Sequence, residues 1–294
     1  MRGRAGEMLV IGYCWACALL LPGVLCCVLG FLILKGGHTL GLELIFGDTD
    51  PIDALLLRRP VFDGLFPAMV GTLSLVVLAV GLAIPVGISA GIYMAEYSRG
   101  AVKRCFSLLF DVLAGIPSIV VGLFGFSVAV FIHRHFSENI YPCLLISAVS
   151  LAFLVLPYLI RTTQVALEGV SESLRLTAPA LGASRFQNIR YVLIPRALPG
   201  IISGVILSIG RCAEDTAVIM LTGVVATAGV PHTIFGGYEA LPFFVYTVAS
   251  QYADAQELSR GYGGAIVLLF LCGGLFFIAF GIKRRMMHRA VYRV

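Results

Sequence analysis

Apolar residues fill six long stretches of the chain, roughly 8–34, 67–94, 106–132, 141–160, 198–225 and 263–282. Each is long enough to be a membrane-spanning helix, because about 20 helical residues cross a hydrocarbon core. The polar intervals between them are short, and too little polar chain is left for a separate soluble domain. The longest polar interval in the C-terminal half, residues 171–199, predicts two short helices and a corner. Gly182 is placed to end the first helix in the left-handed conformation that glycine adopts without a Cβ penalty. Ser184 followed by Gln187 has the spacing of a capping box and starts the second. Phe186, Ile189 and Val192 recur at helical spacing and give that helix one apolar face. Pro195 and Pro199 are expected to end it. Such a face either docks into a groove on a partner or lies on the lipid surface.

Prolines interrupt the apolar stretches at particular places. Pro22-Gly23 is set to kink the first, and Pro85 sits among Gly81, Gly87 and Gly91 in the second, where small residues let helices approach closely. In the third, Gly115-Ile116-Pro117-Ser118 predicts either a broken helix facing a pathway or a tolerated kink: proline removes a backbone donor, and in lipid the freed groups need neighbours or a hydrated path. Asp111 lies shortly before this break. The fourth stretch runs into Arg161, either a pathway residue or an interface arginine whose head reaches water. The outward loop after the fifth holds Pro242-Phe243-Phe244, a hairpin or a short helix at the interface.

The strongest chemical signal is Arg211-Cys212-Ala213-Glu214-Asp215-Thr216-Ala217 in the fifth stretch. An arginine within a membrane helix costs about 2.5–3.5 kcal/mol on insertion scales, so it demands pairing or hydration. Glu214 and Asp215 lie three and four residues on, so either can reach Arg211 across one helix face. Two acids against one base leave a net negative charge if all three ionise. The group is either a structural ion pair or part of a path for an anion, since the planar guanidinium fork suits phosphate and carboxylate.

Composition sharpens the topology. The 294 residues are 59% hydrophobic and 13% charged, where a soluble domain carries about 25% charged residues. Of the lysines and arginines outside the spans, fifteen (Arg2, Arg4, Arg99, Lys103, Arg104, Arg161, Arg175, Arg185, Arg190, Arg196, Lys283, Arg284, Arg285, Arg289 and Arg293) fall on one side of a six-span topology and five (Lys35, Arg58, Arg59, Arg134 and Arg260) on the other. The positive-inside rule then predicts cytoplasmic N- and C-termini and a cytoplasmic 171–199 loop. The net charge of +5 follows from that bias and points to no nucleic acid. The first stretch is too long for a signal-peptide core and is expected to remain as a span. The loop 35–66 is acidic, with Glu43, Asp48, Asp50, Asp53 and Asp63, and reads as a partly ordered outward loop. Cys14-x-x-Cys17 lacks a second pair or a histidine cluster, His133 and His135 have no companion ligands, and no metal site is expected. No Gly-Lys dipeptide and hence no Walker A loop occurs, so any nucleotide must bind another polypeptide.

The loop resembles the coupling loop of ABC-importer permeases, which reads Glu-Ala-Ala, three residues, Gly, nine residues, Ile-x-Leu-Pro. Ala178 matches the second alanine, Gly182 the glycine, and Val192, Ile194 and Pro195 the tail. Leu176 and Thr177 depart from it, and Pro179 is unusual within a helix. The runs 87–97 and 114–124 and the fifth-stretch group resemble those of phosphate permeases, whose signature is Arg-x-x-Gly-Glu-Thr-Ala. Arg211, Thr216 and Ala217 match, Glu214 stands for the glycine and Asp215 for the glutamate.

This resemblance implies an all-α, six-helix type I ABC-importer permease of the MetI-like fold. Residues 1–65 would form an N-terminal helix and outward loop, and 66–294 the permease domain. It implies a bacterial inner-membrane location, a second, PstC-like permease, two PstB-like ATPase subunits using ATP and Mg, and a PstS-like extracytoplasmic phosphate-binding protein. This chain would bind no cofactor and be no enzyme itself. Arg211, Arg161, Glu214, Asp215, Thr216, Pro117 and Ser118 would line the substrate path. Ala178, Gly182, Ala183, Ser184, Phe186, Ile194 and Pro195 would couple to the ATPase. A permease for another oxyanion, such as molybdate or sulfate, fits the same loop. A stand-alone secondary transporter would need repeated broken helices, and only one clear break is visible.

Overall fold

A computed structural model of the chain describes residues 2–56, 58, 61, 64–135 and 141–291; Arg59, Asp63 and Arg293, and the side chains of Arg2, Arg4 and Arg289, lie outside it. Helices α1 (Arg2–Gly36), α2 (Leu42–Phe46) and α3 (Pro51–Leu55) precede α4 (Phe66–Ile92), which runs into a π-turn at Tyr93–Tyr97. Then come α5 (Gly100–Ala114), α6 (Ser118–His135), α7 (Leu144–Glu168), α8 (Glu172–Ala180) and α9 (Arg185–Asn188). A second π-turn, Ile189–Leu193, leads into α10 (Ile194–Glu214), followed by α11 (Ala217–Thr222), α12 (Leu241–Gln251) and α13 (Ala255–Val291). Among the described residues, six helical segments are long and apolar enough to cross a membrane: Val10–Thr39, Phe66–Tyr97, Ser118–His135, Leu144–Glu168, Arg185–Glu214 and Ala255–Met287.

The core forms where α4, α7 and α10 pack together, with α11 wedged against α6 and α7. Leu75, Ala79, Ala83, Leu151, Val155, Leu159, Cys212, Ala213 and Ile219 are buried there. Small residues permit this closeness: a Cβ on Gly204 of α10 would meet Thr162 Oγ1 of α7 at 2.0 Å. By contrast, α1 contacts chiefly α13, and its described side chains are almost all exposed.

Three sequence expectations need correction. The third apolar stretch is not one span. It divides into α5, which buries no residue, and the 18-residue span α6. Pro117 cannot donate, so the helix closes over Gly115 and Ile116, whose N–H groups turn back to Val112 and Leu113, and restarts at Ser118. Nor does the fifth span run through residue 225. It ends at Glu214, because Asp215 leaves helical conformation (ψ 120°).

Third, Pro195 and Pro199 do not end the second helix of the 171–199 loop. Pro195 falls in the first turn of α10, where a missing donor costs little, and Pro199 is carried inside α10. The π-turn before them, in which Ile194 N–H donates to Ile189 O, shifts the hydrogen-bond register so that α9 continues into the span. The outward segment around Pro242 is a helix, α12, and not a hairpin.

Candidate functional site

Two groups of residues stand out, one within the membrane spans and one at the polar corner. In the first, Arg211 Nη1 lies 3.2 Å from Glu214 Oε1, the side chains 39% and 62% exposed. Arg211 Nε is buried and has no hydrogen-bond partner among the described residues. The guanidinium thus keeps donor capacity beside a carboxylate it holds from one side only. Asp215 does not join the pair. Since α10 stops at Glu214, the four-residue spacing no longer places Asp215 on the same face. It turns inward, buried, and its Oδ1 accepts the Val218 N–H at the first turn of α11 at 2.9 Å. That is the local side-chain-to-backbone bond expected where a helix starts.

The break after Glu214 adjoins the break before Ser118. A Cβ on Gly122, one turn into α6, would approach Ala217 O at 3.0 Å, and Ile116 packs on the cluster containing Cys212 and Ala213. Tyr158 of α7 donates its hydroxyl to Ala114 O at 3.4 Å and so serves one carbonyl left open by the α5–α6 interruption. The structure therefore sets the α5–α6 interruption, which holds Pro117 and Ser118, against the start of α11, which follows Asp215 and Thr216, while Arg211 and Glu214 lie in the last turn of α10. Arg161 is held separately. Its Nη1 donates to Gln164 Oε1 at 3.4 Å, Gln164 donates to Glu168 at 2.9 Å, and Glu168 accepts from Lys103 at 2.7 Å. No hydrogen bond or ion pair among the described residues joins Arg161 to Arg211.

At the corner, α8 and α9 meet across Gly182, whose φ is +82°. The Ser184 hydroxyl accepts from Gln187 N, and the Gln187 side chain accepts from Ser184 N, closing the capping box. Pro179 sits inside α8, where it deprives Arg175 O of its helical donor. Asn188 Nδ2 supplies that bond instead, at 3.0 Å. The proline that looks disruptive in sequence is thus accommodated by the next helix.

The anticipated single apolar face of Phe186, Ile189 and Val192 divides in two. The π-turn rotates Ile189 into a buried cluster with Leu193, Leu167, Ala197 and Ile201. Phe186 remains 63% exposed, and Leu176, Leu181 and Tyr191 share that exposure. Of the corner residues, Ala178 and Ala183 are half-buried, Gly182 and Ser184 exposed, and Ile194 and Pro195 half-buried.

One residue at the corner was not singled out by its sequence. Glu96, in the π-turn after α4, is buried and receives Arg175 Nη1 at 2.5 Å. Arg185 also donates to its backbone carbonyl. The available signal was a single carboxylate at the end of a long apolar run, in Tyr93-Met94-Ala95-Glu96-Tyr97.

Six apolar spans, helix breaks at Pro117 and Asp215, and an exposed two-helix corner describe a polytopic membrane protein. The model for "Binding-protein-dependent transport system inner membrane component" matches residues 87–291. The chain belongs to that family. It is 33% identical to "Phosphate transport system permease protein PstA 1" of Mycobacterium tuberculosis (strain ATCC 25618 / H37Rv), over 71% of this chain and 66% of that one, just under two thirds of that relative. It is 30% identical to "Phosphate transport system permease protein PstA" of Haemophilus influenzae, over 94% of this chain and 90% of that protein. Among solved structures, a chain of the MetNI methionine ABC transporter in an inward-facing conformation superposes with a TM-score of 0.58 at 19% identity, covering 81% of this chain and 99% of that chain. The architecture is that of a MetI-like ABC-importer permease.

Proposed function

We propose that this chain is the phosphate-conducting permease subunit of an ATP-driven importer, with Arg211 on the anion path. The observation that carries the reading is the guanidinium at the end of α10, which among the described residues is held by one exposed carboxylate and has Nε unpartnered. An exposed ion pair contributes only about 0.2–1 kcal/mol. A phosphate dianion entering a hydrated path replaces Glu214 readily and gains the charge-assisted, planar contacts that guanidinium offers. The two interruptions supply the freed backbone groups and hydration that such a path needs. Arg161, further along α7, gives positive potential toward the exit.

The fit of the corner, and the phosphate-permease names of its relatives, support a four-part assembly. A PstC-like second permease completes the path, two PstB-like ATPases bind ATP and Mg, and a PstS-like protein delivers phosphate from outside. The chain is embedded in the inner membrane with cytoplasmic termini. It hydrolyses nothing itself. Closure of the ATPases pushes on the corner, and α10 carries that displacement to Arg211.

Phosphate uptake by the reconstituted four-component system tests this, comparing wild type with Arg211→Ala after assembly is verified. The expected result is loss of uptake with assembly intact. Normal uptake by Arg211→Ala would make the residue a structural ion pair. Wild-type transport of a different oxyanion would keep the importer and discard phosphate.

A further inference from the structure

Glu96 belongs to none of the groups assigned above, yet it is where four elements meet. Its side chain is 8% exposed, at the end of the helix that begins with α4. Arg175 of α8 places one Nη on its carboxylate and the other on Leu167 O of α7, each at 2.5 Å. Arg185 of α9 donates to the Glu96 carbonyl, and its guanidinium lies 4.7 Å from the centre of the Tyr97 ring. Asn188 then ties α9 back to Arg175 O. Both helices of the corner are therefore fastened to the same turn of chain after α4.

The covalent paths from the corner lead forward into α10 and back, through residues 169–171, into α7. Helix α4 is separated from the corner in sequence by α5, α6 and α7, and would otherwise sense its motion only through side-by-side packing. We infer that Glu96 is a positioning residue, an ionic latch through which displacement of the corner is passed to α4 in step with α10. This rests on reading residues 171–199 as the surface that receives motion from the ATPase. A buried pair suits the task, because removing one partner leaves the other charge buried and uncompensated, so the contact persists through the cycle. Arginine is needed at 175 because only a planar fork serves the carboxylate and the Leu167 carbonyl together.

The test measures ATP hydrolysis and phosphate uptake in the same vesicles for the reconstituted importer carrying wild type, Glu96→Gln or Arg175→Lys. Both variants are expected to assemble and hydrolyse ATP, with phosphate moved per ATP falling about tenfold, within the usual range of coupling between sites. Because Arg175→Lys keeps the charge and loses the fork, its loss of coupling identifies geometry as the cause. An unchanged ratio in both variants, or uptake and hydrolysis falling together with the amount assembled, would overturn the latch. If Glu96→Gln fails to assemble, the ratio in Arg175→Lys decides. Should wild type carry another oxyanion, the phosphate reading falls and the ratio is read on that anion. Absence of ATP-driven uptake by wild type overturns both.

Discussion

Single residues at the corner and at the intramembrane group show which local chemistry a sequence exposes. Ser184 and Gln187 were legible because a capping box closes within four residues and depends on nothing distant. Gly182 was legible for the same reason. Its φ of +82° meets open space on the side where a Cβ would project, so substitution is penalised by backbone strain alone. Gly182→Val should cost roughly 1–2 kcal/mol locally. In the reconstituted importer it should lower phosphate uptake more than ATP hydrolysis, with assembly retained; full uptake would remove the corner from the coupling route. Asp215 was misread because its pairing with Arg211 assumed an uninterrupted helix. Glu96 was overlooked because its partners lie 79 and 89 positions away, at Arg175 and Arg185. A sequence shows caps, which are local, more readily than latches, which are not.

Among the elements, the spans were legible from their apolar length, whereas their joints were not. The break at Pro117 was visible, but α5 still read as the first half of a span, because its exposed Phe106, Leu108, Leu109 and Val112 are as apolar as any membrane residue. Hydropathy cannot tell a side chain facing lipid from one facing a partner. Packing between elements depends on small residues in register. Gly204→Val would drive a side chain into Thr162, separating α10 from α7. It should reduce the folded yield sharply, while Gly23→Ala, with no atom within 4 Å of its added Cβ, should leave yield unchanged in detergent extraction and size-exclusion measurements.

The outward segment between α11 and α12 has its own fastening. Glu239 Oε1 accepts Gly229 N–H at 2.7 Å. Burial raises the pKa of this carboxyl, partly offset by hydrogen bonds from Gly229 and Ala228. A folded-state pKa above the unfolded value means the protonated form is favoured on folding, so this contribution is full below the unfolded carboxyl pKa and is lost as pH rises through the raised one. Glu239→Gln should therefore flatten the dependence of Tm on pH across the acidic range. A pH profile identical to wild type would refute this.

For the molecule as a whole, the surface states what is missing from the isolated chain. It exposes 18081 Å², where a compact soluble monomer of this mass would expose about 12,000 Å². Exposed large apolar side chains lie on α1, α5, α6 and α13 as well as at the corner. The fold class was legible because six apolar stretches and one motif suffice to define it. The meeting of the two helix breaks was not, since it arises from packing between α6 and α11, nearly a hundred positions apart.

The π-turn at Ile189–Leu193 has a mechanical consequence. It joins α9 to α10 in one unbroken helical run from Arg185 to Glu214. At about 1.5 Å per residue, Arg211 sits roughly 39 Å from the corner end of that run, so a tilt of about 5° at the corner swings it through roughly 3 Å. That is the length of one hydrogen bond. A small angular stroke at one end is enough to make or break a hydrogen bond of Arg211 at the other.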